Sequence, residues 1–249
     1  MCASTMSRWK ASGIHLLLSA AIAGSVVLFM LTVWYPWPLF QAAGGSRLVL
    51  ILVAVDVTLG PLITLIIFKA GKKGLKFDLT VIALLQLAAL AYGVHTLSLA
   101  RPVYLAFTID RFDLVTAKDL DPVDLEKVTL EQFKRLPLGR PRYVAAVMPE
   151  DPHEKMKILE TSFQGKDLQL YPQHYAPYEQ EAPKAAKRAG ALDVLVERDP
   201  QQVQRYLDSS GRSAQSLRFL PLRAPHKDGA VLLDAASGEP VTILLIDPW

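Results

Sequence analysis

Apolar positions along the chain fall into three long runs near the N-terminus and then break into short, alternating patches. Gly13–Val33, Leu48–Phe68 and Leu79–Leu99 each span about 20 residues. At ~1.5 Å per helical residue, each covers a ~30 Å hydrocarbon layer. The middle run contains no basic residue and one acid, Asp56. A central Asp costs roughly 2.5–3.5 kcal/mol on insertion scales, while each Leu, Ile, Phe or Val returns about 0.3–0.6, so the balance favours insertion. Asp56, Gly60 and Thr64 recur every four residues and share one helix face. Gly60 lets another backbone approach that face, and Pro61, which cannot donate to the Val57 carbonyl, predicts a kink or a bound hydroxyl just below Asp56. In the third run Gln86, Ala89 and Gly93 share a face, with Tyr92 beside it. Counted by helical rise, Tyr92 lies at nearly the depth of Asp56, so the expected partner of Asp56 is Tyr92.

The first run ends in Trp34-Tyr35-Pro36-Trp37-Pro38. Bulky residues and prolines argue against cleavage there, so the span is expected to be retained. Aromatic residues settle at membrane–water interfaces and prolines end helices, which reads the five residues as an interface anchor. A rigid aromatic surface for a partner is the second reading. Ser19, Ala20, Ala23 and Gly24 suit close helix packing. The loop Lys69–Lys76 carries four lysines, the head (residues 1–12) adds Arg8 and Lys10, and the loop after the first span offers only Arg47. The positive-inside rule then puts the N-terminus and the lysine loop in the cytoplasm, and three spans put everything after Arg101 outside it.

Residues 101–249 read as one α+β domain following a membrane domain at 13–100. Val103–Ile109 and Asp113–Ala117 predict a strand pair turning at Asp110-Arg111. A short helix is expected after Pro122, through Leu125–Phe133, and a strand over Tyr143–Met148. Asp151-Pro152-His153-Glu154 is a helix entrance with a capping Asp and Pro at the first position, leading into 152–164. Leu170–Pro177 reads as a loop, and Glu179–Ala189 and Pro200–Leu207 as helices, the second stopped near Gly211. Leu217–Leu222, Ala230–Leu233 and Val241–Ile246 predict a closing meander.

Composition sharpens the compartment. The chain has 249 residues and is 51% apolar, too hydrophobic for an ordinary soluble protein. Residues 1–100 carry seven Lys/Arg and two acids, whereas 101–249 carry 20 basic and 22 acidic residues. Positive charge therefore follows the membrane segments and does not describe a nucleic-acid-binding surface. The one cysteine, Cys2, builds no disulfide framework or thiolate site, and Met6 offers a second start that would omit it.

Catalytic constellations are sparse. His15, His95, His153, His174 and His226 show no metal-binding spacing, and there is no G-x-S-x-G elbow, P-loop or dinucleotide fingerprint. Asp119, Asp121 and Asp124 lack the glycine turn and distal Glu of a calcium loop. No enzyme activity and no cofactor are expected. Asp56 is the exception, since an intramembrane acid is a functional-site hypothesis by default: it fixes helix register, contacts a partner's helix or takes part in proton-coupled chemistry.

Five motifs occur in order: Tyr35-Pro-Trp-Pro-Leu-Phe40, Val55-Asp-Val-Thr-Leu-Gly-Pro-Leu62, Phe77-Asp78-Leu79, Leu85-Gln86-Leu87 with Ala91-Tyr92-Gly93, and Phe107-Thr-Ile-Asp-Arg-Phe112. Together they resemble the type IV pilin accessory proteins of Gram-negative bacteria, the FimB/TfpX/TfpZ kind, densely over residues 31–117 and loosely beyond. The resemblance implies an inner-membrane protein with a periplasmic C-terminal domain, acting with a cognate major pilin to promote pilus assembly, among membrane lipid and other assembly components. A chaperone-like holder follows as the expectation. Asp56, Gly60, Pro61, Thr64, Gln86, Tyr92 and Gly93 would contact the pilin helix, and the outer domain, entered through Asp110, Arg111 and Phe112, would select between pilins. The rivals are an integral-membrane enzyme modifying pilin or a lipid-linked substrate, and a membrane sensor with a periplasmic ligand-binding domain.

Overall fold

The computed structural model describes residues 6–249, without the side chains of residues 47, 48, 51 and 52; Cys2 and the Met1 start lie outside the described residues. The chain divides into two units, residues 1–32 with 45–99 and residues 33–44 with 100–249.

The first unit is helical. Helix α1 (Arg8–Phe29) is entered from Ser7, whose hydroxyl accepts from the Lys10 amide, and continues as a wider π turn over Met30–Trp34. The second unit supplies a one-turn helix, α2 (Leu39–Ala42), before the chain returns as α3 (Gly45–Ala54). A π turn over Val55–Leu59 joins α3 to α4 (Gly60–Ile67), so the helical run is unbroken through pieces of 10, 5 and 8 residues. Gly71 and Gly74, both at positive φ, shape the lysine loop before α5 (Leu75–Ala100). Two helical stretches, Arg8–Trp34 and Leu75–Ala100, are long and apolar enough to cross a membrane. The expected spans were shorter because the count stopped at the polar residues flanking each run, and a helix does not. Ala11, Ser19 and Ala23 are the buried stripe of α1. Ala20 and Gly24, also expected at a packing face, point outward.

The second unit is built on a mixed sheet that, among the described residues, has eight strands. Strands β1 (Pro102–Phe107) and β2 (Phe112–Thr116) form the expected hairpin, with Phe107 opposite Phe112. The helix expected after Pro122 is a single turn, α6 (Pro122–Leu125). Strand β3 (Arg142–Ala146) lies parallel to β1 and precedes α7 (Pro152–Ser162). The Asp151 carboxylate accepts from the His153 and Glu154 amides at the α7 entrance, 2.9 Å each. Strand β4 (Tyr175–Pro177), expected as loop, pairs with β3. Its aromatic Tyr175, buried at a sheet edge, carries the preference that three residues are too few to show.

Helix α8 (Tyr178–Arg188), strand β5 (Gly190–Ala191), α9 (Asp193–Arg198) and α10 (Pro200–Ser210) follow, the last stopped by Gly211 at φ 66°. The meander β6 (Leu217–Arg223), β7 (Gly229–Asp234), β8 (Pro240–Leu244) closes the chain. The sheet order is β4-β3-β1-β2-β6-β7-β8. The edge of β6 away from β7 is shared: its C-terminal end pairs with β2 and its N-terminal part with β5, so the sheet splays there.

Period-two alternation buries both faces. Leu105 and Phe107 of β1, Leu220 and Leu222 of β6 and Val231 and Leu233 of β7 face one core, covered by Tyr178, Ala182 and Ala185 of α8 and by Leu39 and Ala42. The opposite face is covered in two halves, by Ile158 of α7 and its following loop over β1 and β3, and by α9 and α10 over β6–β8. Leu39 and Ala42, expected within the membrane half, are thus core residues of the second unit. Two amides, from His226 and Lys227, donate to the Ala42 carbonyl at 3.0 and 3.2 Å.

Candidate functional site

The π turn sets the chemistry of the first unit. In an α-helix each carbonyl is answered by the N–H four residues on, and in a π turn by the N–H five residues on. For Asp56 the fifth residue is Pro61, which has no N–H. The Gln86 side-chain amide takes that place, Nε2 donating to the Asp56 carbonyl at 3.1 Å. Its Oε1 is thereby the acceptor for His15 Nε2, 2.6 Å away, and the other ring nitrogen of His15 lies 2.6 Å from Thr64 Oγ1. The amide orientation makes His15 Nε2 the donor to Gln86, and the Nδ1–Thr64 contact completes the chain. Ser12 Oγ donates to the Pro61 carbonyl at 2.9 Å. Three helical segments are therefore tied by one polar chain around the proline.

Gly60 makes room for it: a Cβ there would stand 2.0 Å from Gln86 Nε2 and 2.5 Å from its Cδ. Asp56 is buried, and its Oδ1 has no hydrogen-bond partner among the described residues. It opens on a cleft of about 210 Å³, which His15, Ser19 and Gln86 also line. On the other side of Gln86 an apolar groove of about 450 Å³ runs between α4 and α5, past Gly60, Ile63, Val81 and Leu85.

Of the residues singled out in sequence, Asp56, Gly60, Pro61, Thr64 and Gln86 come together; the first four are buried. Tyr92 does not join them. It is 74% exposed, and the expected Asp56–Tyr92 bond is absent. The reason is the start of α5, which begins four residues before the apolar run. Counted from the true helix ends at Ile67 and Leu75, Asp56 and Gln86 each lie 11 residues from the lysine loop, at equal depth. Gly93 is half-buried one residue beyond Tyr92. His15 was passed over because no acid or second His pairs with it in sequence. The available signal was a lone imidazole inside an apolar run, four residues before Ser19.

The second unit divides the proposed interface anchor. Tyr35 is fully enclosed, edge-on to Phe40, whereas Trp37, next to the cis-linked Pro38, is 70% exposed. Pro36 is half-buried, and its carbonyl accepts from the Leu39 amide. Trp34 Nε1 donates to the Leu138 carbonyl. At the β1–β2 turn Arg111 pairs with Asp110, Asp113 and Asp167 at 3.7, 3.2 and 3.3 Å, while Phe112 is core. Burial lowers the Arg111 pKa, but these three carboxylates outweigh it and hold the guanidinium above its usual value. Asp113, buried, is pushed up by desolvation against that attraction. The cluster is a clamp between the turn and the segment after α7. Asp119 accepts from the amide and hydroxyl of Thr116 at the start of the turn that it closes, Asp121 caps α6, and Asp124 pairs with Lys127 and Lys166. Among the described residues no group of three or more His, Cys, Asp or Glu side chains could hold a metal ion.

Residues 3–44 match the family model described as fimbrial assembly protein FimB. Two fimbrial assembly proteins of Dichelobacter nodosus, of serogroups I and E1, are 31% and 30% identical to this chain over 219 residues. These alignments cover 86% of this chain and 85% of each relative. A third, of serogroups C1 and C2, is 35% identical over 113 residues, 45% of this chain and 86% of its own length. No solved structure matches the chain. With relatives 30% and 31% identical over 86% of its length, the chain belongs to the FimB family of fimbrial assembly proteins.

Proposed function

We propose that this protein acts in pilus assembly as a membrane-embedded holder of its cognate type IV pilin. The helical unit sits in the bacterial inner membrane with the lysine loop cytoplasmic, and the sheet unit is periplasmic. Support for three crossings comes from the ends of the two long apolar helices. Trp34 ends one, Arg101 follows the other, and the Arg101 guanidinium lies 5.9 Å from the Trp34 ring. Two spans running the same way to a common end require the chain between them to cross back. The continuous run Gly45–Ile67 has the length to do so.

The observation that carries the holder reading is the apolar groove beside Gly60 and Gln86. In lipid, helices associate through close packing and a few polar contacts, and the groove offers an apolar wall with an amide at its floor. The neighbouring Asp56 oxygen still lacks a donor and would accept one from a docked helix. The relatives are named for fimbrial assembly, and their names describe no reaction. Ile63 and Leu85 line the groove and are exposed, so cysteines there, in a Cys2→Ser background, should crosslink to positions on the pilin helix in native membranes. Leu17, exposed and outside the groove, is the control. Adducts at 63 and 85 no more abundant than at 17 would sink the model.

A further inference from the structure

Trp34 and Arg101 reach the same loop. Trp34 Nε1 donates to the Leu138 carbonyl at 3.1 Å, and Arg101 Nη2 donates to the neighbouring Pro137 carbonyl at 3.3 Å. The loop, residues 134–142, reads Lys-Arg-Leu-Pro-Leu-Gly-Arg-Pro-Arg and contains no acid. Pro137 is buried, whereas Leu138 is 80% exposed and Lys134, Arg135, Arg140 and Arg142 are all exposed. Lys134 pairs with Glu131, and the loop's own side chains carry only positive charge around a single protruding leucine.

Two hydrogen bonds thus hold the loop backbone to the residues that terminate two membrane-length helices. A helix terminus of this kind lies at headgroup level, and the two hydrogen bonds bring the loop backbone to it. An apolar tip flanked by cations suits that layer: the leucine enters the acyl boundary while the long basic side chains extend to phosphates. Each such cation near an anionic surface adds to the attraction, and salt screens it.

We infer that the 134–142 loop is an additional membrane contact, in which Leu138 inserts at the bilayer surface and Arg135 and Arg140 engage anionic phospholipid headgroups. It rests on reading the two helices as spans and is independent of what the groove beside Gly60 binds. The test uses the full-length protein, Cys2→Ser, in vesicles of phosphatidylethanolamine and phosphatidylglycerol that carry shallow nitroxide-labelled lipid. An environment-sensitive fluorophore is placed on Leu138→Cys, on Leu84→Cys within α5, and on Phe163→Cys, an exposed site after α7 in the sheet unit.

The label at 138 should be quenched at least about twofold more than that at 163, and the excess should shrink when Arg135 and Arg140 are changed to Glu or in 1 M salt. Equal quenching at 138 and 163, with 84 buried in lipid, overturns the loop contact and leaves the membrane reading intact. An excess at 138 that ignores the Glu variants and salt overturns the role of the anionic headgroups. A label at 84 shielded from lipid overturns the spanning reading together with this inference.

Discussion

Replacing Gly60 by Ala should destabilise the helical unit even though Ala is the better helix former. A Cβ at position 60 would stand 2.0, 2.5 and 2.8 Å from Nε2, Cδ and Oε1 of Gln86, so the whole amide must leave. Its departure removes the donor to the Asp56 carbonyl and the acceptor of His15. Interhelical hydrogen bonds in lipid average about 0.6 kcal/mol and reach about 1.7, so two of them contribute roughly 1–3 kcal/mol. The Gly-to-Ala change returns about 0.8–1 kcal/mol of helix propensity. The net cost is about 1 kcal/mol. In a Gln86→Ala background the obstruction is gone and only propensity remains, so the same substitution should stabilise by up to about 1 kcal/mol. The sign reverses between backgrounds, with a coupling energy of about 2 kcal/mol. Denaturant unfolding of the four full-length proteins in one mild detergent, followed by circular dichroism, measures it. A Gly60→Ala effect of the same sign and size with and without Gln86 would refute the packing argument.

Two further outcomes concern the sheet unit. Burial would raise the Asp124 carboxyl, but hydrogen bonds and charge from Lys127 and Lys166 outweigh it, so its pKa lies below the usual 3.8. A depressed folded value means the contribution to stability is complete above the unfolded pKa and is lost as pH falls through the folded one. Asp124→Asn should therefore flatten the dependence of Tm on pH below about pH 4 while leaving its slope near neutrality unchanged. A parallel acid limb in the variant would dismiss the pairing as an energetic factor. Gly238 has φ 78°, and a Cβ there would meet the Ala182 carbonyl oxygen at 2.1 Å. Backbone on both sides cannot yield as a side chain can, so Gly238→Ala should cost roughly 3 kcal/mol or more. It should also weaken the bond from the Tyr178 hydroxyl to the Gly238 carbonyl, 2.6 Å in the native protein. Near-ultraviolet circular dichroism through the transition reads both, and an unchanged Tm would count against the latch between α8 and the β7–β8 turn.

Local chemistry was legible where one residue dictates one geometry. Asp151-Pro152 announces a helix entrance and Gly211 an exit, and the alternation in 217–246 gives the meander with only its ends displaced. The α9 turn and the three-residue β4 were missed because neither is long enough to express a period. Residues 39–42 show the larger gap. The apolar side chains of Leu39 and Ala42 match a membrane-proximal segment and a soluble core equally well, and the amides at His226 and Lys227 that decide between them lie far along the chain. The order of β2 beside β6 is likewise set by long-range pairing over two residues, which carries no local signature.

The polar chain around Pro61 was half legible, and the missing half is instructive. A proline inside an apolar helix predicts an unanswered carbonyl with certainty, since the donor is covalently absent. It does not predict which carbonyl, because the helix can widen and pass the deficit on. Here the π turn passes it to Asp56, and a glutamine from another helix answers it. That glutamine needs an acceptor for nothing and a donor for everything it does at Asp56, so its oxygen is left to fix His15. The resulting order of demand runs from Pro61 to Gln86 to His15 to Thr64, each group oriented by the one before. The acid itself stands outside this sequence. Asp56 meets this network through its backbone carbonyl, while its carboxylate Oδ1 has no hydrogen-bond partner among the described residues.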